Sequence, residues 1–291
     1  MTIRKFMGKC LNVIRRLQPK IHMKAEVNTL GYNQLLEGRN VLISGSTSGI
    51  GLAIARACLD SGATTVITGR NLEKLESVKK ELQAKYGSKV YAHLLNMDDV
   101  DHMANEINNI IRELGGRSID ILINNAGIQA GIFGDTHISE FDSVIKTNLR
   151  GTYFLSQLIS RHMVENKVKG NILNIVSSSG ARPANSPYMV SKWGIRGLTL
   201  GMAKALIPYG ITVNGLAPGP TLTNMQRTDD KNIYLENNPL GRMTLPEEIA
   251  SMAVVLVSGI GRSIVGDIIY MTGGAGVITY DDITYNFKIE R

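Results

Sequence analysis

The strongest constraint on the fold is a regular alternation, from about residue 40 onward, of short apolar runs with longer segments of helical character. Seven of these runs have the length and β-branched content of strands: Asn40–Gly45, Thr64–Gly69, Lys89–Asn96, Ile119–Gly127, Gly170–Ser178, Ile211–Gly219 and Gly266–Gly274. The runs are apolar along their whole length, as in parallel sheets that helices cover on both faces. The sequence therefore predicts an α/β chain with a doubly wound Rossmann fold, in which helices flank a seven-stranded parallel sheet.

Six helical segments separate these strands, and they are predicted at 48–62, Asn71–Gly87, Asp99–Leu114, Ser139–Lys167, Ser186–Pro208 and Pro246–Ser258. The last of them opens with proline and acids, as helices favour. No linker or repeat interrupts the pattern. We therefore predict one domain at 36–276, a basic N-terminal extension at 1–35 and a C-terminal tail at 277–291.

Composition narrows the class of protein. The chain has 291 residues, of which 43% are hydrophobic and 20% charged, as in ordinary soluble domains. No run approaches the roughly 20 apolar residues of a membrane-spanning helix, and the N-terminus lacks the apolar core of a signal peptide. Two cysteines and five scattered histidines form no metal or disulfide pattern. We predict a cytoplasmic protein without a bound metal.

The net charge of +7 comes from the N-terminus, because residues 1–24 hold seven Lys and Arg and no acid. The rest of the chain is neutral and has no basic face with aromatic residues, which argues against nucleic acid as a partner. The basic segment also has apolar residues at helical spacing. It is interpreted either as a helix that makes weak contact with an anionic membrane surface, or as a helix packed on its own domain or another subunit, or as a frayed tail.

A glycine-rich turn follows the first predicted strand and leads directly into a helix. The glycines are spaced Gly45-x3-Gly49-x-Gly51. Glycines let the backbone approach a pyrophosphate closely, and a helix N-terminus offers it free N–H groups. This strand–turn–helix context predicts that the turn binds a dinucleotide.

The end of the second predicted strand bears on which dinucleotide binds. An acidic residue at this point usually binds the ribose hydroxyls of NAD, but this sequence has Gly69 and Arg70. A guanidinium pairs well with a phosphate. The sequence therefore favours NADP (NADPH), with NAD the weaker alternative.

Tyr188 precedes Lys192 by one helical turn, so the two side chains lie on one helix face. An ammonium close to a phenol stabilises the phenolate. The pair therefore fits a general acid for carbonyl reduction, or a general base for alcohol oxidation.

These motifs together resemble the short-chain dehydrogenase/reductase family, in its compact single-domain branch, and most closely the 3-oxoacyl-[acyl-carrier-protein] reductases. The resemblance covers roughly 38–275 and rests on the following segments: "SGSTSGIG", "NNAG", "KTNLRG", "NIVSSSG", Tyr188-x-x-x-Lys192, "APGPTLT" and "GRMTLPEEIA". Three departures are visible. Ser44 stands where threonine is usual, Asn96 where aspartate is frequent, and the interval from serine to Tyr188 is short.

The resemblance implies a site. Its catalytic residues would be Asn148, Ser177, Tyr188 and Lys192, with Ser178 left open as the alternative serine. Lys192 would also bind the nicotinamide ribose, and Asn148 would position a water that links Lys192 to solvent. Cofactor-binding residues would be Gly45, Ser46, Thr47, Ser48, Gly49, Ile50, Gly51, Arg70, Asn96, Met97, Asn125, Ala126, Gly127, Tyr188, Lys192, Pro218, Gly219, Thr221 and Thr223.

The implied function is an NADP-dependent oxidoreductase that transfers a hydride between nicotinamide and a ketone or secondary alcohol, similar to 3-oxoacyl-thioester reductases. A sugar or polyol dehydrogenase of the same family is the alternative. A dinucleotide-binding scaffold without turnover is less favoured, because tyrosine, lysine and serine are all present. The partners would be a small carbonyl or alcohol substrate and further copies of the chain, in a homotetramer or a dimer.

Overall fold

The computed structural model describes residues 34–223 and 232–276. Most of the basic extension, the C-terminal tail and 224–231 therefore lie outside the described residues. The interpretations of the extension fall there.

A single parallel sheet of seven strands forms the centre of the described structure. In chain order the strands are β1 (Asn40–Ser44), β2 (Thr64–Gly69), β3 (Val90–Leu94), β4 (Ile121–Asn124), β5 (Asn171–Ile175), β6 (Thr212–Pro218) and β7 (Ile268–Met271). Their order across the sheet is β3-β2-β1-β4-β5-β6-β7. The chain therefore reverses direction across the sheet between β1 and β4, which is the position where open α/β sheets bind ligands. The predicted fold class and all seven strands are confirmed.

Helices cover both faces of the sheet. They are α1 (Gly49–Asp60), α2 (Leu72–Tyr86), α3 (Met103–Glu113), α4 (Ile138–Val144), α5 (Thr152–Glu165), α6 (Pro187–Leu206) and α7 (Pro246–Val257). Buried apolar residues of α1, α2 and α7 form one core with the sheet, and those of α3, α5 and α6 form the core on the opposite face. The strands are apolar on both faces for this reason.

Local signals in the sequence set several helix ends. The Asn71 side chain accepts a hydrogen bond from the Lys74 backbone N–H at 2.8 Å and caps α2. Ser186 caps α6 in the same way through the backbone N–H of Met189 at 3.3 Å. Proline occupies the first turn of α6 and of α7.

Several element boundaries differ from the predictions by a few residues, and two of these differences bear on the site. The long helix expected at Ser139–Lys167 is divided, because a π-helical segment at Ile145–Gly151 separates α4 from α5. Strand β5 ends at Ile175 rather than at Ser178, since Ser177 caps a short 3-10 helix at Ser178–Ala181. Both differences lie beside the cleft described below, and π-helical turns are frequent at functional sites.

Two features are absent from the part of the chain that the structure describes. No helix within 34–223 or 232–276 is both long and apolar enough to cross a membrane. No cluster of three or more His, Cys, Asp or Glu side chains within the same ranges has the arrangement of a metal site.

Candidate active site

A cleft of about 450 Å³ runs along the carboxyl ends of the central strands. Its floor is the turn after β1, one end lies at the tip of β2, and the other end lies between β5 and the start of α6. Nearly all residues predicted from the sequence line it. The exceptions among them are Ser46 and Asn148.

The glycine turn has no room for side chains where it meets β4. A Cβ on Gly45 would lie 2.7 Å from Ala126 Cα, and one on Gly51 would overlap the Gly45 carbonyl oxygen. Gly45 also has a φ of +66°, which favours glycine. The turn is therefore pressed against the start of the "NNAG" segment, and its backbone faces the cleft.

Ser46 corrects one of the predictions, because its side chain does not face the cleft. The hydroxyl is fully buried, donates to the Ile43 carbonyl at 3.0 Å and accepts from the Thr68 backbone N–H at 2.8 Å. The Ser46 backbone N–H donates to the Thr68 carbonyl. Ser46 thus fastens the turn to β1 and β2, and has no donor left for a phosphate.

The "NNAG" segment is tied to the glycine turn by hydrogen bonds. Asn125 donates from Nδ2 to the Gly45 carbonyl at 2.8 Å. The Ser44 hydroxyl accepts from the backbone N–H groups of Asn125 and Ala126 at 3.0 and 3.1 Å. Serine therefore does at position 44 what a threonine hydroxyl would also do.

Basic side chains line the far end of the cleft, at the tip of β2. Arg70 and Lys74 lie there on either side of the α2 cap residue Asn71. No Asp or Glu lines the cleft among the described residues. Asn96 and Met97 flank this end, and Asn96 Oδ1 accepts from the Asp98 backbone N–H at 3.2 Å.

Tyr188, Lys192 and Ser177 come together at the opposite end of the cleft. Lys192 is 6% exposed, and its ammonium donates to the Ile175 carbonyl at 2.7 Å. The same nitrogen lies 5.6 Å from the centre of the Tyr188 ring. Burial lowers the pKa of Lys192, and the adjacent Tyr188 partly opposes this shift.

Of the two candidate serines, only Ser177 lines the cleft. Ser178 is 7% exposed and begins the 3-10 helix behind it. The Ser177 hydroxyl accepts from the Ser179 backbone N–H at 3.1 Å, which leaves its own proton available to donate.

Asn148 lies in the π-helical segment, behind the cleft rather than in its lining. It is 2% exposed, and its side-chain amide bonds the Ile128 backbone and the Ser191 hydroxyl. A Cβ on Gly127 would lie 3.5 Å from Asn148 Oδ1 and 3.8 Å from Lys192 Nζ. Asn148 is thus close to the lysine but makes its hydrogen bonds elsewhere.

The end of β6 and the residues after it line a further side of the cleft. Pro218, Gly219, Thr221 and Thr223 line it, and a Cβ on Gly49 would lie 3.5 Å from the Thr223 methyl group. The segment therefore lies within contact distance of the glycine turn, and both border the cleft at this point.

Nine lining residues were missed: Gly69, Asn71, Lys74, Leu95, Ile128, Gln129, Thr147, Ile175 and Val176. Lys74 had a usable signal, because it follows Arg70 by four residues at the start of a helix. The other missed residues line the cleft because of how the ends of neighbouring strands are placed in the folded sheet, which the sequence does not reveal.

A shallower groove opens beside Tyr188 on the outer side of the cleft. Small and polar residues line it together with Met189, namely Gln129, Ala130, Gly131, Ser179 and Ser186. Tyr188 lines both the groove and the main cleft. A substrate bound in the groove could therefore extend its carbonyl group past Tyr188 into the cleft.

Comparison with known proteins identifies the family. The model of the family described as short chain dehydrogenase matches residues 39–233. The chain belongs to the short-chain dehydrogenase family. It is therefore an oxidoreductase that uses a nicotinamide dinucleotide and interconverts a ketone with a secondary alcohol.

Individual relatives match this short-chain dehydrogenase over nearly their whole length. A 3-oxoacyl-[acyl-carrier-protein] reductase of Aquifex aeolicus is 36% identical over 248 residues, which are 82% of this chain and 98% of the relative. A crystal structure of gluconate 5-dehydrogenase from Burkholderia cenocepacia, in complex with NADP and tartrate, has a TM-score of 0.76 and 31% identity, covering 84% of this chain and 98% of that one. A 3-oxoacyl-[acyl-carrier protein] reductase from Brucella melitensis with bound NAD has a TM-score of 0.76 and 29% identity, covering 87% and 98%.

Proposed function

We propose that the chain is an NADPH-dependent ketone reductase of the 3-oxoacyl-thioester reductase type, with Ser177, Tyr188 and Lys192 as its catalytic residues. The observation that carries this is their convergence at one end of the cleft, while the charged side chains at the other end, Arg70 and Lys74, are both basic. The cleft suits a dinucleotide, because its floor is bare glycine backbone at a helix start. NADPH, when bound, supplies the hydride.

The residues of the chain would manage the oxygen and the proton. Ser177 donates a hydrogen bond to the substrate carbonyl, as in an oxyanion site. Tyr188 transfers its phenolic proton to that oxygen as the hydride reaches the carbon, so that ketone, hydride and proton give a secondary alcohol. The buried Lys192 ammonium stabilises the phenolate that remains.

Selectivity for NADP is assigned to Arg70, assisted by Lys74. An adenosine ribose at the tip of β2 would lie against a guanidinium and a helix start, and no described carboxylate of the cleft would repel its 2′-phosphate. Both cations are exposed, so we expect them to discriminate modestly rather than absolutely.

A sugar or polyol substrate is the second candidate. Its support is the groove beside Tyr188, where Gln129, Ser179 and Ser186 offer polar groups to a hydroxylated chain. The same amide and hydroxyls suit the amide groups of a thioester arm, so the groove alone does not separate the two substrates.

We also propose a homo-oligomer, a dimer or a tetramer, in which a second copy covers α6. The exposed face of this helix combines Val190, Trp193 and Leu200, each more than 40% exposed, with Gly197 and Gly201, where an added Cβ would meet nothing. An apolar helix face with small residues permits close approach of another helix. Light scattering of the protein and of Leu200→Glu tests this, and a parent that is monomeric contradicts it.

The experiment for the function is NADPH oxidation against 3-oxoacyl thioesters, keto-sugars and simple ketones, with NADH in parallel. Turnover of a thioester by the parent and its loss in Tyr188→Phe would support the proposal. Turnover of keto-sugars alone would favour the second candidate. Tight NADPH binding without any turnover would favour a scaffold instead.

A further inference from the structure

Ser191 lies between Tyr188 and Lys192 in the sequence and has no place in the chemistry described above. It is fully buried, with 0% exposure. Its hydroxyl donates to the Tyr188 carbonyl at 2.6 Å and accepts from Asn148 Nδ2 at 3.1 Å. The hydroxyl therefore joins the first turn of α6 to the π-helical segment.

Asn148 extends this connection to the end of the cleft that holds Tyr188 and Lys192, which the proposed function makes the nicotinamide end. Its Oδ1 accepts from the Ile128 backbone N–H at 2.8 Å, and its Nδ2 donates to the Ile128 carbonyl at 2.9 Å. The amide thus pairs with the Ile128 backbone in both directions. Ile128 lines the cleft immediately after Gly127.

Every side-chain donor of the bridge is used. A side-chain amide has two N–H donors, and Asn148 directs one to Ile128 and the other to Ser191. Without the Ser191 hydroxyl, one of these donors would be buried without a partner. Such a donor carries a penalty comparable to a whole hydrogen bond, so the arrangement in which the Asn148 amide pairs with Ile128 would lose stability.

We propose that Ser191 is a positioning residue, which holds Tyr188 in register with the loop at the nicotinamide end of the cleft through Asn148. In carbonyl reduction the hydride goes to the carbon and the proton to the oxygen of the same group. The distance between the proton donor Tyr188 and the loop at Ile128 must therefore stay constant. This inference rests on the proposed function, because it assigns Tyr188 the proton.

The chain contains a matched control for Ser191→Ala. Ser156 on α5 is also a buried serine, 1% exposed, and its hydroxyl accepts from the Asn124 amide at 2.8 Å. Ser156 does not line the cleft. Ser156→Ala therefore removes the same atom from the same kind of pair, away from Tyr188.

The experiment compares both variants with the parent in three measurements. These are kcat and KM for NADPH oxidation, the isotope effect on kcat with deuterium on the transferred position of NADPH, and amide hydrogen exchange at Ile128 without substrate. We expect Ser191→Ala to lower kcat about tenfold, equivalent to about 1.4 kcal/mol, with KM for NADPH within about twofold. The isotope effect should rise and Ile128 should exchange faster, while Ser156→Ala matches the parent in all three.

The inference is overturned if kcat of Ser191→Ala stays within about twofold of the parent, or if Ser156→Ala loses as much. Unchanged exchange at Ile128 also overturns it, since the bridge would then not hold that loop. If the parent reduces no ketone in the panel, the proposed function has failed. Exchange at Ile128 then decides by itself whether the bridge exists.

Discussion

Replacing Lys192 by methionine is expected to abolish turnover and yet make the folded protein more stable. The ammonium is buried, with one hydrogen bond to the Ile175 carbonyl at 2.7 Å. Burying a charged group costs several kcal/mol, and an apolar replacement of similar shape removes that cost. The Ile175 carbonyl loses a partner, which costs about 1 kcal/mol. We expect the free energy of unfolding at pH 7 to rise by about 1 to 2 kcal/mol.

The pH dependence of this gain has a definite sign. Burial lowers the pKa of Lys192 in the folded chain, whereas in the unfolded chain it is near its ordinary value of about 10.4. Between these two pKa values the unfolded chain holds a proton that the folded chain lacks, so the parent becomes more stable as pH rises. Lys192→Met has no such proton, and its advantage over the parent should therefore shrink as pH increases toward 10.

Urea unfolding followed by circular dichroism, at pH 7 and again near pH 9.5, measures both effects. Lys204→Met is the control, because Lys204 is an exposed residue of the same helix and its loss should change stability by less than about 0.5 kcal/mol. A Lys192→Met protein that is less stable than the parent at pH 7, or whose advantage grows with pH, would refute the reasoning.

Three further predictions concern single side chains. Arg70→Ala should raise KM for NADPH about tenfold and leave KM for NADH unchanged; equal changes for both cofactors would contradict the assignment. Ser177→Ala should lower kcat at least a hundredfold and Ser178→Ala less than about threefold, and steady-state kinetics showing the reverse order would move the role to Ser178. Burial raises the pKa of the Cys58 thiol to about 12. In a Cys10→Ser background, an aromatic disulfide reagent at pH 8 should therefore react only after unfolding, and rapid reaction with the folded protein would contradict this.

The strands were predictable because their burial on both faces leaves a continuous apolar run, as at Asn40–Ser44. The glycine turn was predictable because close packing against Ala126 excludes a side chain at Gly45. The division of the helix after Val144 was not, since the sequence of Ile145–Gly151 is compatible with an ordinary helix. Its geometry depends on tertiary contacts such as the Asn148 pairing with Ile128.

The site residues also include some that the sequence reveals and some that only the folded chain reveals. Tyr188 and Lys192 are readable because a fixed spacing on one helix brings them together. Ser46 was misassigned, because membership in a motif does not reveal which way a side chain points. Ser191 was overlooked because its partners, Asn148 and the Tyr188 carbonyl, come together only in the folded chain. The cytoplasmic location stays a prediction.

The position of β1 in the interior of the sheet, between β2 and β4, has a consequence for synthesis on the ribosome. Strand β1 pairs with β4, whose residues follow it by about 80 positions, and the walls of the cleft extend to Thr223. A nascent chain that has emerged only as far as β3 contains the glycine turn but lacks the cleft lining that follows β4, β5 and β6. Such long-range pairings form slowly. We therefore expect the dinucleotide to be captured only by chains that have emerged past Thr223, where it stabilises completed molecules over partly folded ones.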